Sequence, residues 1–164
     1  MKKHCGICNR ELNVDSDPLS GDCGGDCWGC IGEIEACAGY EMSLKLVREE
    51  YVDGLRPNWM PDPIITTRIR IGENRLQNII EFKVMILHPL GNPHENQFFK
   101  ARVFEKHSSM SENRIINEYG LKTNSKGVAE FECELINNEM KQDIGIEIER
   151  NHRAVSFPVE ISGG

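Results

Sequence analysis

The 164-residue sequence contains no apolar run close to the roughly 20 residues that a membrane-spanning helix needs. Its first residues, Met1-Lys2-Lys3-His4, lead directly into cysteines and include no apolar signal-peptide core. These two features predict a cytoplasmic protein that does not associate with a membrane. In a reducing compartment, closely spaced cysteine pairs are metal ligands far more often than disulfide partners.

Basic residues are scarce where a nucleic-acid-binding module would need them. The net charge of the chain is -7, and residues 1–40 hold three Lys/Arg against seven Asp/Glu. Proteins that bind nucleic acid usually present a basic surface, because they must neutralise phosphates. The charge distribution therefore disfavours nucleic acid as the partner, and a nucleic-acid-binding zinc ribbon is kept only as an alternative.

Groups that would form an active site are sparse as well. The five histidines form no HxH or HExxH pattern, and none lies between Cys8 and Cys30. A treble-clef nuclease would therefore lack its general base. His88 and His94 flank a turn at residues 89–93 and could converge there, but a solvated loop is the favoured interpretation. The sequence predicts a protein that is not an enzyme.

The cysteines are the strongest chemical signal, since six of the seven lie within the first 37 residues. Cys5 and Cys8 form one CxxC pair, and Cys27 and Cys30 form a second pair at the predicted start of a short helix. The two-residue spacer lets both sulfurs of a pair converge on one ion, and four thiolates suit tetrahedral zinc. We predict a structural Zn²⁺ in a knuckle of the treble-clef or zinc-ribbon kind.

The identity of the four ligands is open at one position. Cys23 lies close to the second pair and is a possible substitute for one of its members. Cys37 is interpreted as a buried thiol, Cys133 as a core residue of a strand, and His4 as solvated.

The segment Asp22-Cys23-Gly24-Gly25-Asp26-Cys27, with the flanking pairs, resembles the "CxxC…DCGGDCxxC" module of uncharacterised bacterial proteins. The resemblance covers about residues 5–35. It implies a zinc-ribbon or treble-clef-like module and no particular activity.

The chain divides into three predicted zones: a zinc-binding module at 1–39, a linker helix and extended linker at 40–62, and a β-sandwich at 63–164. Tyr40, Leu44, Val47 and Tyr51 share one helical face in the second zone. Trp59, farther along the linker, is interpreted as an anchor that packs the small domain against the large one.

The third zone alternates apolar and polar residues with period two, which predicts strands with one buried face. Six or seven such strands, separated by turn signals, indicate an antiparallel β-sandwich. Pro158 places the last strand at a sheet edge, because proline cannot donate a ladder hydrogen bond. The alternating segments are 66–71, 80–86, 99–104, 128–135, 144–149 and 155–161.

Two motifs in this zone resemble bacterial immunoglobulin-like domains. Pro89-Leu90-Gly91-Asn92-Pro93, followed by the strand at 99–104, is similar to their "D-x-x-G-x-P" turn, and residues 121–131 are similar to their "T-(D/N)-x-x-G-x-A-x-F" segment. The resemblance implies an immunoglobulin-like sandwich over about 100 residues. The predicted fold class is thus mainly β, with an N-terminal four-cysteine zinc knuckle and a short linker helix.

One stretch of the third zone predicts a helix instead of a strand. Ser109 and Glu112 have capping-box spacing, and Gly120 would end a helix running through residues 114–119. Such a helix, together with the terminal Gly163-Gly164, leaves open a β-grasp modifier that is conjugated through Gly164. The favoured interpretation is an intracellular, zinc-stabilised binding or adaptor protein that engages a protein partner.

Overall fold

A computed structural model of the protein describes the following residues: 3–73, 77–106, 112–136, 143–151 and 153–159. The chain forms two compact units, Met1–Pro61 and Asp62–Gly164. Both α-helices of the described residues belong to the first unit, and all seven strands belong to the second.

The first unit contains a short 3-10 helix, Pro18–Ser20, and two α-helices, α1 (Trp28–Cys37) and α2 (Glu41–Val52). The helix predicted from the spacing of residues 40–51 is therefore present. Val47 of α2 is fully buried and packs in one cluster with Ala36 of α1 and with Trp59. The compact unit thus continues to Pro61, beyond the predicted module boundary at residue 39, and Trp59 contributes to its own core.

The second unit is an antiparallel β-sandwich, as the period-two pattern predicts. One sheet has the order β1-β2-β5 and the other the order β4-β3-β6-β7, with every neighbouring pair antiparallel. The strands are β1 (Ile64–Ile71), β2 (Gln77–Met85), β3 (Phe98–Lys106), β4 (Arg114–Lys122), β5 (Val128–Ile136), β6 (Asp143–Arg150) and β7 (Arg153–Pro158).

The core of the sandwich is built from alternate residues of both sheets. Ile80, Phe82 and Val84 of β2 are buried in one cluster with Val103 of β3 and Ile146 of β6. Two faces packed in this way exclude water from each other, and burial of apolar area is the main driving force for folding. The second unit therefore has an apolar core of its own.

The edge position predicted for the last strand is confirmed. Strand β7 pairs with β6 at the end of its sheet, and Ile146 faces Phe157 in the register. Pro158 closes the strand opposite Gly145, where a missing N–H is tolerated.

The helix predicted at residues 114–119 is wrong, because this segment is strand β4. It pairs with β3 along its length, with Arg102 facing Glu118, and the Arg102 Nε lies 2.7 Å from the Glu118 Oε2. Long-range pairing of β-branched Ile115 and Ile116 has overridden the local capping signal. The element that favoured a β-grasp fold is therefore gone, and Gly163 and Gly164 lie outside the described residues.

His88 and His94 meet at the loop between β2 and β3, rather than standing apart in solvent. Their rings are in edge-to-face contact with centroids 5.3 Å apart, and His94 is half-buried. Burial lowers the pKa of His94, and the neighbouring His88 and Arg150 lower it further. The folded sandwich therefore favours the neutral form of this imidazole.

The sandwich should lose stability as the pH falls below about 6.5, the ordinary pKa of histidine. The unfolded chain takes up a proton on His94 that the folded chain resists, so this contribution is complete above that pH and declines below it. Urea unfolding at about pH 7.5 and about pH 5.5, on either side of that pKa, should show a smaller pH difference in His94→Gln than in the wild type. An equal difference in both proteins would contradict the assignment to His94.

Candidate metal centre

The first cysteine pair lies in a tight turn that directs backbone N–H groups at a sulfur. The N–H groups of Ile7 and Cys8 donate to the Cys5 Sγ, with N···S distances of 3.4 and 3.5 Å. The Asn9 N–H donates to the Cys5 carbonyl at 2.9 Å, and Asn9 has a φ of 60°. Asparagine tolerates this left-handed conformation better than most residues. The local sequence thus forms the predicted knuckle.

The second pair lies at the start of α1. Cys27 is the N-cap residue, and Cys30 is the third residue of the helix, with its N–H 3.0 Å from the Cys27 carbonyl. The N-terminus of a helix carries unpaired N–H groups and a partial positive charge, which favour nearby anions such as thiolates. The helix start therefore presents both sulfurs to one point.

The structure brings the two pairs together. The Sγ atoms of Cys5, Cys8, Cys27 and Cys30 all lie within 4.8 Å of one another. The Cys5–Cys30 Sγ distance is 3.9 Å, and the Cys8–Cys27 Sγ distance is 3.6 Å. Sulfurs bound to one ion at about 2.3 Å in a tetrahedron would be about 3.8 Å apart. The four thiols are free rather than joined in disulfides, and their arrangement is compatible with a bound metal ion.

The electrostatics of the cluster also favour a cation. Burial raises the pKa of Cys27 and of Cys30, and hydrogen bonds with the neighbouring thiols add to the shift at Cys30. At Cys5, burial acts in the same direction, but the N–H groups of Cys8, Cys27 and Ile7 outweigh it and lower the pKa to about 6. Four sulfurs this close cannot all ionise together unless a positive charge compensates their repulsion.

Arg10 supplies one positive charge beside the cluster. Its Nη1 donates to both carboxylate oxygens of Asp17 at 2.8 Å, and the guanidinium also interacts with Cys8 and Cys27. A cation there stabilises thiolates, as residues around metal ligands commonly do. Arg10 was not identified from the sequence. Its position two residues after Cys8 was the available signal.

The remaining candidate ligands lie apart from this group. Cys23 is exposed, and its thiol donates to the Gly21 carbonyl at 3.7 Å instead of joining the four sulfurs. Cys37 is half-buried near the end of α1, and Cys133 is buried in the sandwich core as predicted. His4 is exposed and forms an isolated β-bridge with Glu11.

No protein-family model and no curated protein sequence matches this chain. Within the described parts of the chain, the four cysteines form the one group of three or more potential metal ligands. No helix among those residues is long and apolar enough to cross a membrane.

Proposed function

We propose that the protein is a zinc-stabilised binding protein of the reducing cytoplasm that engages a protein partner and has no enzymatic activity. The observation that carries this proposal is the four-sulfur cluster, in which the Cys8–Cys27 Sγ distance is 3.6 Å and the Cys5–Cys30 Sγ distance is 3.9 Å. Tetrahedral sites with four sulfur ligands are typical of zinc or iron, and zinc suits a structural role because it has no redox chemistry.

A structural role is favoured over a catalytic one because cysteine fills all four positions. Catalytic zinc sites usually combine three protein ligands with an open position for water or substrate. Here Cys5 and Cys27 are buried, Cys30 is half-buried and Cys8 is exposed, so the protein would shield a bound ion on three of its four sides. A closed site of this kind holds a fold together instead of activating a substrate.

The first unit needs such a site because its apolar core is small. Among its described residues, the buried apolar side chains other than the clustered cysteines are Leu12, Leu19, Ala36, Val47 and Trp59. A domain of about 60 residues buries too small a fraction of its surface to be reliably stable without extra cross-links, so a bound metal would supply the missing stabilisation.

The sandwich would serve as a rigid platform of immunoglobulin-like type. Its β1-β2-β5 and β3-β6-β7 groupings correspond to the A-B-E and C-F-G groupings of that fold. Strand β4 pairs with β3 as the fourth strand of the second sheet, whereas the fourth strand of the constant-type arrangement lies beside E, the position of β5. This order supports the resemblance drawn from the motifs, although such a fold by itself implies no particular partner.

Strand β1 is the surface best suited to a protein partner. It is a regular eight-residue strand without proline, and in the described part of the chain it pairs with β2 along one side. Arg68 lies on its exposed face, whereas Arg70 is paired with Glu81 and Glu132 of the same sheet. Open edge strands accept extended peptides through main-chain hydrogen bonds, and Arg68 would favour a segment with an acidic side chain.

The proposal is tested on the full chain in its native host. Purified protein should contain one zinc per chain, and a photo-crosslinking residue at Arg68 should capture a protein. The same residue at Lys83, an exposed position on the central strand β2, should capture much less.

Three results would overturn the proposal. A folded, metal-free protein would contradict the zinc site. Nuclease-sensitive adducts would indicate the nucleic-acid alternative. Adducts that form without light through Gly164 would indicate the modifier alternative.

A further inference from the structure

Arg56, in the segment after α2, is a buried cation that touches the backbone between two of the four cysteines. Its exposure is only 4%. The Nη1 donates to the Gly29 carbonyl at 2.7 Å, and the Nη2 donates to the Trp28 carbonyl at 3.3 Å. Trp28 and Gly29 are the two residues that separate Cys27 from Cys30, so one guanidinium holds both spacer residues of the second CxxC pair.

Acidic side chains from both helices hold this guanidinium in place. The Nε lies 2.6 Å from a Glu50 carboxylate oxygen, and the Nη1 lies 3.3 Å from a Glu33 oxygen. The other Glu50 oxygen accepts a hydrogen bond from the Trp28 indole at 2.6 Å. Glu50 therefore fixes Arg56 and Trp28 together and ties the start of α1 to α2.

Gly32 provides the space that this arrangement needs. A Cβ at position 32 would lie 3.0 Å from the Arg56 Nη2 and 3.0 Å from two ring carbons of Trp28. Glycine inside a helix is less favourable than alanine, so its presence within α1 calls for a local reason. The close approach of the guanidinium and the indole provides that reason.

We infer that Arg56 is a positioning residue of the metal centre, because it fixes the backbone that sets the spacing between the Cys27 and Cys30 sulfurs. The inference rests on the proposed metal site and extends it to a side chain beyond the two cysteine pairs. The planar guanidinium is required, because its fixed donors reach two carbonyls and two carboxylates at once, which a lysine ammonium cannot reproduce.

The test measures metal affinity and ligand geometry in the full chain. Arg56→Met should weaken zinc binding, measured by competition with a chelator, by roughly 10–100-fold, the range typical of residues that orient metal ligands. Its cobalt-substituted form should show shifted d–d absorption bands at saturating cobalt. Arg56→Lys should bind zinc almost as weakly as Arg56→Met does. Lys45→Met, which removes an exposed cation from α2, should match the wild type on both measurements.

Gly32→Ala is a second variant that keeps the arginine and all four thiols. If Arg56 positions the site, the added methyl group should displace the guanidinium and lower metal affinity, although alanine favours helix formation. The inference is overturned if Arg56→Met and Gly32→Ala keep the wild-type affinity and cobalt spectrum. It is also overturned if Arg56→Met is less stable than the wild type but keeps the wild-type cobalt spectrum. A wild-type chain that binds no metal would overturn the proposed function together with this inference.

Discussion

Removal of the proposed zinc should unfold the first unit and leave the sandwich folded. Zinc binds knuckle-type sites with apparent free energies of about 10–16 kcal/mol, which is as large as the whole stability of a small domain. The first unit has few buried apolar side chains with which to compensate, whereas the second has a continuous core across two sheets.

Circular dichroism would follow the two units separately. In the described residues both α-helices belong to the first unit, so the far-ultraviolet helical signal should fall on chelation while the strand signal persists. Restoring zinc should restore the helical signal. Loss of both signals together would show that the two units do not fold independently.

The matched variants are Cys27→Ser and Cys23→Ser. Cys27 is fully buried at the start of α1 and is one of the four clustered sulfurs, so its loss should mimic chelation. Cys23 is exposed and lies outside the cluster, so Cys23→Ser should bind zinc with the same stoichiometry as the wild type. A metal-bound, fully helical Cys27→Ser would contradict the proposed ligand set.

Sequence alone could locate the cysteine cluster because each half of it is local. A two-residue spacer brings a pair of sulfurs to one side of a turn, and this requires no knowledge of the rest of the fold. Arg56 and Glu50 could not be found in the same way. They reach α1 from distant positions, and nothing in their immediate sequence distinguishes them from solvated charges.

The strands were predictable for a similar reason, whereas their order was not. Alternation reports which face of a strand is buried, but it does not say that β3 lies beside β6 or that β2 lies beside β5. The helix prediction at residues 114–119, where β4 lies, failed for the same reason, because it rested on local sequence alone. A capping signal near residue 112 is a local preference of about 1 kcal/mol, and pairing with β3 outweighs it.

Gly127, in the turn between β4 and β5, lies at a position where the backbone requires glycine. Its φ is +69°, a conformation that favours glycine. A Cβ there would lie 2.7 Å from the Ile86 carbonyl oxygen and 2.9 Å from the His94 N. Both contacts are with backbone, which cannot move aside as a flexible side chain can.

Gly127→Ala should therefore destabilise the sandwich by roughly 2–5 kcal/mol, from backbone strain of about 1–3 kcal/mol together with the steric overlap. For a domain of about 100 residues this corresponds to a decrease in Tm of roughly 10–25 °C, measurable by calorimetry on the zinc-loaded protein.

The control is Gly120→Ala in β4, where an added Cβ would meet nothing within 4 Å. That change should leave the Tm unchanged or slightly higher. Equal losses at the two glycines would show that the turn does not depend on glycine, whereas a loss confined to Gly127 would show that it does.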